Sequence, residues 1–169
     1  MISEVIQMVE NKYNECYEIA KTKGIDLPKI DIQWNLHGAC AGQFCIRFNR
    51  KFFRVNLELA EQNLEKYLDQ TVPHEFCHYI VRHKYSYNVN VAPHGTEWKN
   101  AMVQIFGIAP HRCHSYDVSQ VKHCRGRFEY KCSCRTFSIG PVRHKRLQMN
   151  PKKYYCPSCN GNLVLVKKS

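Results

Sequence analysis

The sequence predicts an α+β fold in two parts, and three observations carry that prediction. Apolar residues recur at helical spacing over residues 2–23, from about Asn63 to Lys84, and again from Thr96 to Gly107. Apolar and polar residues alternate only in short runs between the first two of these stretches, which is enough for a small antiparallel sheet. From about Val121 the character changes, and the pairs Cys132/Cys134 and Cys156/Cys159 stand with 21 residues between them. The boundary is therefore drawn at residue 120, with a larger domain over 1–120 and a cysteine-bearing annex over 121–169.

The first element is an amphipathic helix. Val5, Val9, Tyr13, Cys16 and Ala20 form its stripe and Gly24 closes it. After Leu27-Pro28, Ile30-Asp31-Ile32-Gln33-Trp34 alternates as a strand. Phe44 to Leu57 forms a hairpin that turns near Asn49-Arg50. Between strand and hairpin, His37 and Cys40 are expected to be a turn histidine and a core thiol. Leu64, Tyr67, Leu68, Val72, Phe76 and Tyr79 then sustain a helical face, with Glu61, Glu65 and Asp69 on its solvated side. Pro73 falls inside this helix, where a missing N–H predicts a kink. A further helix starts with Thr96 as N-cap, carries Trp98, Ala101, Met102 and Ile105 on one face, and stops at Gly107.

Chemistry concentrates on the second of these helices, where His74-Glu75-Phe76-Cys77-His78 reads HExxH. Residues i and i+4 share a helix face, so both imidazoles can reach one ion, with Glu75 beside them as a general base. Zinc accepts nitrogen ligands tetrahedrally and can leave a position open for water, whose pKa it lowers to roughly 7. Buried histidines need a partner, and the apolar flanks of this motif imply burial. His94, between Pro93 and Gly95 just before the next helix, is the candidate third ligand. Tyr85 or Tyr87 can donate to an oxyanion, and nothing in the sequence selects between them. The turn bearing His111, Cys113 and His114 is not expected to be a separate metal site.

Val72-Pro73-His74-Glu75 followed by Ala92-Pro93-His94-Gly95-x-Glu97-Trp98-Lys99 resembles the SprT family of bacterial zinc proteins, which are similar to the protease domain of the DNA–protein crosslink protease Spartan. The likeness runs from about Ile30 to the C-terminus. It implies a zincin-like domain in which His74, His78 and His94 hold a catalytic zinc and Glu75 is the catalytic base. It also implies that the short first cysteine pair, C-x-C, serves in a zinc ribbon, and it places an RRHNR-like segment at Val142-Arg143-His144-Lys145-Arg146.

By spacing alone, Cys132, Cys134, Cys156 and Cys159 read as a ribbon's zinc ligands, so two zinc ions are expected in all. The short first pair leaves an alternative open: Cys124, His123 or His144 can replace one of its cysteines. The remaining cysteines, Cys16, Cys40, Cys45, Cys77, Cys113 and Cys124, read as reduced thiols in a leaderless chain. No apolar run reaches the roughly 20 residues of a membrane helix, and cytoplasm is the expected compartment.

The formal net charge of +11 is unevenly placed. Residues 1–110 hold 12 Lys+Arg and 12 Asp+Glu, whereas residues 111–169 hold 13 Lys+Arg against Asp117 and Glu129 alone. Such asymmetry predicts an anionic partner, DNA in particular, bound without sequence preference and with single strands or junctions favoured. Arg143, Lys145, Arg146, Lys152 and Lys153 are the expected contacts, and Arg127 and Lys131 flank Phe128 and Tyr130. The expected function is a zinc metallopeptidase, and the likeness to Spartan implies that its substrates are proteins bound or crosslinked to DNA. The alternative, from another class, is a DNA-binding or regulatory metalloprotein with little or no peptidase activity.

Overall fold

The computed structural model describes residues 2–85, 91–113, 115, 116, 118, 128–151 and 154–168. Tyr87, His114, His123, Cys124, Arg127, Lys152 and Lys153 lie outside them. The chain divides into two compact units, Met1–Val121 and Lys122–Ser169. Helices and small sheets together make it α+β.

In the first unit, helix α1 (Ile2–Thr22) buries Val5, Val9, Tyr13, Cys16, Tyr17 and Ala20, a stripe at helical spacing. The chain leaves it through Gly24 at φ 75°, a left-handed position that glycine occupies without strain. Strands β1 (Asp31–Gln33), β2 (Gly42–Arg47) and β3 (Arg50–Val55) form one sheet in the order β1-β3-β2. Strands β2 and β3 make the expected hairpin. Its turn is Phe48-Asn49, both at positive φ (48° and 62°), as a two-residue hairpin turn of matching twist requires.

The sheet is mixed rather than antiparallel, because β1 pairs parallel with β3. The hairpin leaves the far edge of β3 open, and the eight residues 34–41 are long enough to carry the chain from that edge around to the start of β2. The apolar face of the sheet meets α1, where Tyr13 stacks on Phe53 with ring centroids 4.4 Å apart, and Phe76, from a later helix, meets Tyr17 of α1 edge-on at 4.7 Å.

The long helix expected from Asn63 is broken into pieces. Helix α2 (Leu57–Gln62) starts earlier, capped by Asn56, whose side-chain oxygen accepts from the Leu59 N–H. Asn63 interrupts it at φ −135°, and the short α3 (Leu64–Lys66) follows. A π-turn over Tyr67–Thr71 then leads into α4 (Val72–Tyr85), with the Val72 N–H reaching back to the Tyr67 carbonyl. Pro73 therefore sits in the first turn of α4, where its missing N–H is least needed, and the distortion expected at the proline is taken up by a widened turn just before it.

Helix α5 (Thr96–Phe106) packs against α4 through Trp98, Ala101 and Met102. Its N-cap is Gly95, so Thr96 is the first helical residue rather than the cap. Gly107 ends it in the left-handed conformation, donating to the Met102 and Val103 carbonyls.

The second unit is a three-stranded antiparallel sheet, order β5-β4-β6, of β4 (Phe128–Lys131), β5 (Thr136–Ile139) and β6 (Val164–Lys168). Helix α6 (Pro141–Met149) lies between β5 and β6 in sequence. Its core is small: Tyr130, Ile139, Leu147, Cys156 and Leu163. So few apolar residues supply little folding energy, which makes the cysteine cluster beside them the expected staple.

Candidate metal centres

Helix α4 puts His74 and His78 on one face, and the turn ahead of α5 swings His94 over to meet them. The three Nε2 atoms form a triangle with sides of 3.1, 3.1 and 3.2 Å. A neutral imidazole Nε2 carries either a proton or a lone pair, so three such atoms cannot all satisfy one another, whereas a cation satisfies all three at once. Four-coordinate zinc with Zn–N bonds of about 2.0–2.1 Å sets its nitrogens about 3.3 Å apart, close to the observed spacing.

Charge and burial keep these rings in their ligating form. Burial, with His74 and His94 beside it, pushes the His78 pKa down to about 3. Burial and then Arg112 lower that of His94. Trp98, fully buried, supports the rings from below: its centroid lies 4.6 Å from His74, 4.8 Å from His94 and 5.7 Å from His78. Its indole N–H donates to the His74 carbonyl at 3.2 Å.

Glu75 is only 7% exposed. The backbone N–H of Phe44, on β2, donates to its Oε2 at 2.7 Å, and its Oε1 lies 3.9 Å from His74 Nε2. Burial lifts its pKa to about 7, against the opposing pull of the Phe44 N–H. A carboxylate so poised can both take and return a proton at neutral pH. The close approach of β2 to α4 depends on Gly42, since a Cβ there would stand 2.8 Å from both Glu75 Cγ and Thr71 Cγ2.

In the second unit the four cysteines converge, with every Sγ within 4.8 Å of the others. Cys132 and Cys134 Sγ are 3.4 Å apart, and Cys134 and Cys156 Sγ 3.6 Å. Zinc with bonds of about 2.3 Å to sulfur needs its ligands about 3.8 Å apart, so the donor set fits. The C-x-C pair contributes both its thiols. The Ser133 hydroxyl donates to Cys159 Sγ at 3.4 Å, and this bond with the Gly161 N–H lowers the Cys159 pKa toward the metal-binding thiolate. His144 is engaged elsewhere: it stacks on Phe128 at 3.6 Å, and its Nδ1 pairs with the Tyr130 hydroxyl at 2.9 Å.

A family model described as the SprT-like family matches residues 5–114, which include both histidine segments and Glu75. The chain belongs to the SprT-like family. It is 32% identical to Protein SprT of Pasteurella multocida over 94% of this chain and 93% of that one. To Protein SprT of Shewanella oneidensis it is 30% identical over 98% and 100%. To that of Pseudomonas aeruginosa strain PAO1 it is 34% identical over 82% of each. The Pasteurella and Shewanella proteins match nearly end to end, so both units fall within that likeness.

In this family member the residues singled out by motif, His74, Glu75, His78 and His94, come together in space, as do the four cysteines. His37 and Cys40 join no metal-binding group among the described residues. Tyr85 lies at the end of α4, half-buried against the cluster of Cys77, Val81, Trp98, Ala101 and Met102. Arg143, Lys145 and Arg146 are exposed on α6. Three features of the site lay beyond motif analysis: the Phe44 N–H, the close approach at Gly42 and Asn56. Trp98 was already in the motif that follows His94, though its place beneath the three rings was not.

Proposed function

We propose that this chain is a zinc-dependent metalloendopeptidase of zincin-like architecture that cuts proteins bound or crosslinked to DNA, with its basic second unit holding the nucleic acid. The observation that carries the peptidase reading is Glu75, held by one oxygen on the Phe44 N–H while the other lies beside the histidine triangle. A purely structural metal site gains nothing from a buried carboxylate placed there, and that carboxylate is costly to bury.

Zinc bound at this site supplies Lewis acidity and a nucleophilic water. The protein's own groups do the rest. His74, His78 and His94 hold the ion, and Trp98 holds the rings. The Phe44 N–H fixes Glu75 so that Oε1 accepts the proton of the attacking water and delivers it to the departing amine. Cys132, Cys134, Cys156 and Cys159 would hold a second zinc, which would fix the fold of the annex. Its exposed Arg143, Lys145 and Arg146 follow phosphates, and the exposed ring of Tyr155 is open to an unpaired base. Tyr130, by contrast, is buried in the annex core. No helix among the described residues is long and apolar enough to cross a membrane.

The test is a protein crosslinked to a single-stranded oligonucleotide, incubated with wild type and with Glu75→Gln. Cleavage by wild type alone is expected. Equal cleavage by both, or by neither, overturns the reading.

A further inference from the structure

The tip of the β2–β3 hairpin carries an aromatic ring in an unusual situation. Phe48 is 88% exposed, the most exposed large apolar side chain among the described residues. It also stands at φ 48°, a conformation that glycine or asparagine adopts freely and a bulky residue does not. The side chain is thus solvated and its backbone strained, and no apolar packing offsets either cost. Its neighbours are cationic. The Arg47 guanidinium lies 5.3 Å from the Phe48 ring centroid and Arg50 is exposed beside it, whereas the Lys51 ammonium turns to the Tyr79 ring, 5.6 Å from its centroid. No Asp or Glu occurs between Asp31 and Glu58, a stretch that holds Arg47, Arg50, Lys51 and Arg54. Among the described residues Arg47, Arg50 and Lys51 make no ion pair. Arg54 is tied into the sheet by bonds to Asn35 and Gln43.

We propose that this tip is a nucleic-acid contact of the first unit, separate from the basic tail, in which Phe48 stacks on an unpaired base while Arg47 and Arg50 take the flanking phosphates. An exposed ring flanked by cations without acidic partners is the composition of a stacking platform for single strands. A single ring is too little apolar surface to anchor a protein in a bilayer, where stable attachment takes two signals. The tip stands on the strand that carries Phe44 to Glu75, four residues and roughly 13 Å further along. A strand of DNA held there runs close to the histidine site, a consequence that rests on the peptidase reading, whereas the binding does not.

The experiment uses the full-length, zinc-loaded chain and labelled single-stranded oligothymidylate, with a duplex as comparison. Phe48→Asn is expected to weaken single-strand binding about 5- to 100-fold and to change duplex binding little. Phe48→Trp should retain it. Arg47→Ala with Arg50→Ala should shallow the salt dependence by roughly 0.7 in slope for each phosphate no longer neutralised. Because Asn suits the positive φ, Phe48→Asn should unfold at the same temperature as wild type or higher. A lower unfolding temperature would make the ring a structural element and overturn the proposal. So would unchanged oligonucleotide affinity, including the case in which binding to anionic vesicles or an acidic peptide falls instead. Hydrolysis of a free peptide, read on the same samples, should match wild type in every hairpin variant. If wild type hydrolyses nothing while Phe48→Asn still loses the oligonucleotide, the peptidase reading fails and the hairpin proposal stands.

Discussion

A carboxyl group buried as deeply as Glu75 must find donors or keep its proton, and here one backbone N–H leaves its pKa at about 7. That is above its ordinary value of 4.5, so the folded chain holds a proton that the unfolded chain releases between pH 4.5 and 7. Its stabilising contribution is complete below pH 4.5 and is lost as the pH rises to 7. In chelator-treated protein, Glu75→Gln should therefore match wild type in urea unfolding near pH 4.5 and exceed it by up to about 3 kcal/mol at pH 8. His78, with its pKa depressed to about 3, acts oppositely, losing stability as pH falls from 6.5, and does so in both proteins. Gly42 can be tested at the same scale. Gly42→Ala places a methyl against Glu75 and Thr71, and should lower hydrolysis at least about tenfold at unchanged metal content, with about 1–3 kcal/mol of lost stability. The pairing of His74 with His78 was legible in the sequence, because i, i+4 spacing on a helix is local. The Gly42–Glu75 approach was not, since it joins residues 33 positions apart through backbone that no motif describes.

The elements around the site are short and held by polar clamps as much as by packing. Asn56 is the clearest case. Buried, it caps α2 through its oxygen, and its amide donates to the Gly38 and Cys40 carbonyls at 2.8 and 3.0 Å. It thereby fixes the loop that delivers Gly42 to Glu75. Asn56→Ala removes a cap and strands two carbonyls, so unfolding in urea should show a loss of about 2–4 kcal/mol. Asn56→Asp, which keeps the cap but not the donors, should fall between. Amphipathic periodicity made α1, α4 and α5 legible. It did not separate α2 from α4, since an apolar face continues across Asn63 and the π-turn with little change of phase. The parallel pairing of β1 was likewise hidden, because three residues of alternation carry no direction.

At the scale of the whole chain, charge separates the two units as sharply as packing does. The first unit is near neutral and the annex strongly basic, so DNA affinity should follow the annex and depend steeply on salt. Replacing Arg143, Lys145 and Arg146 together should weaken binding to DNA and lower the salt slope by roughly 0.9 for each duplex phosphate no longer neutralised, while metal at the histidine site is retained. The cysteine annex was legible from spacing despite its short first pair, because metal geometry constrains the thiols more than the intervening chain does.

The most direct test measures metal content and hydrolysis on the same reduced preparations of wild type and Glu75→Gln. Two equivalents of zinc are expected in both, with hydrolysis at least about a hundredfold lower in the variant. A Glu75→Gln protein that keeps most of its activity, or wild type that binds one equivalent or fewer, would contradict the account.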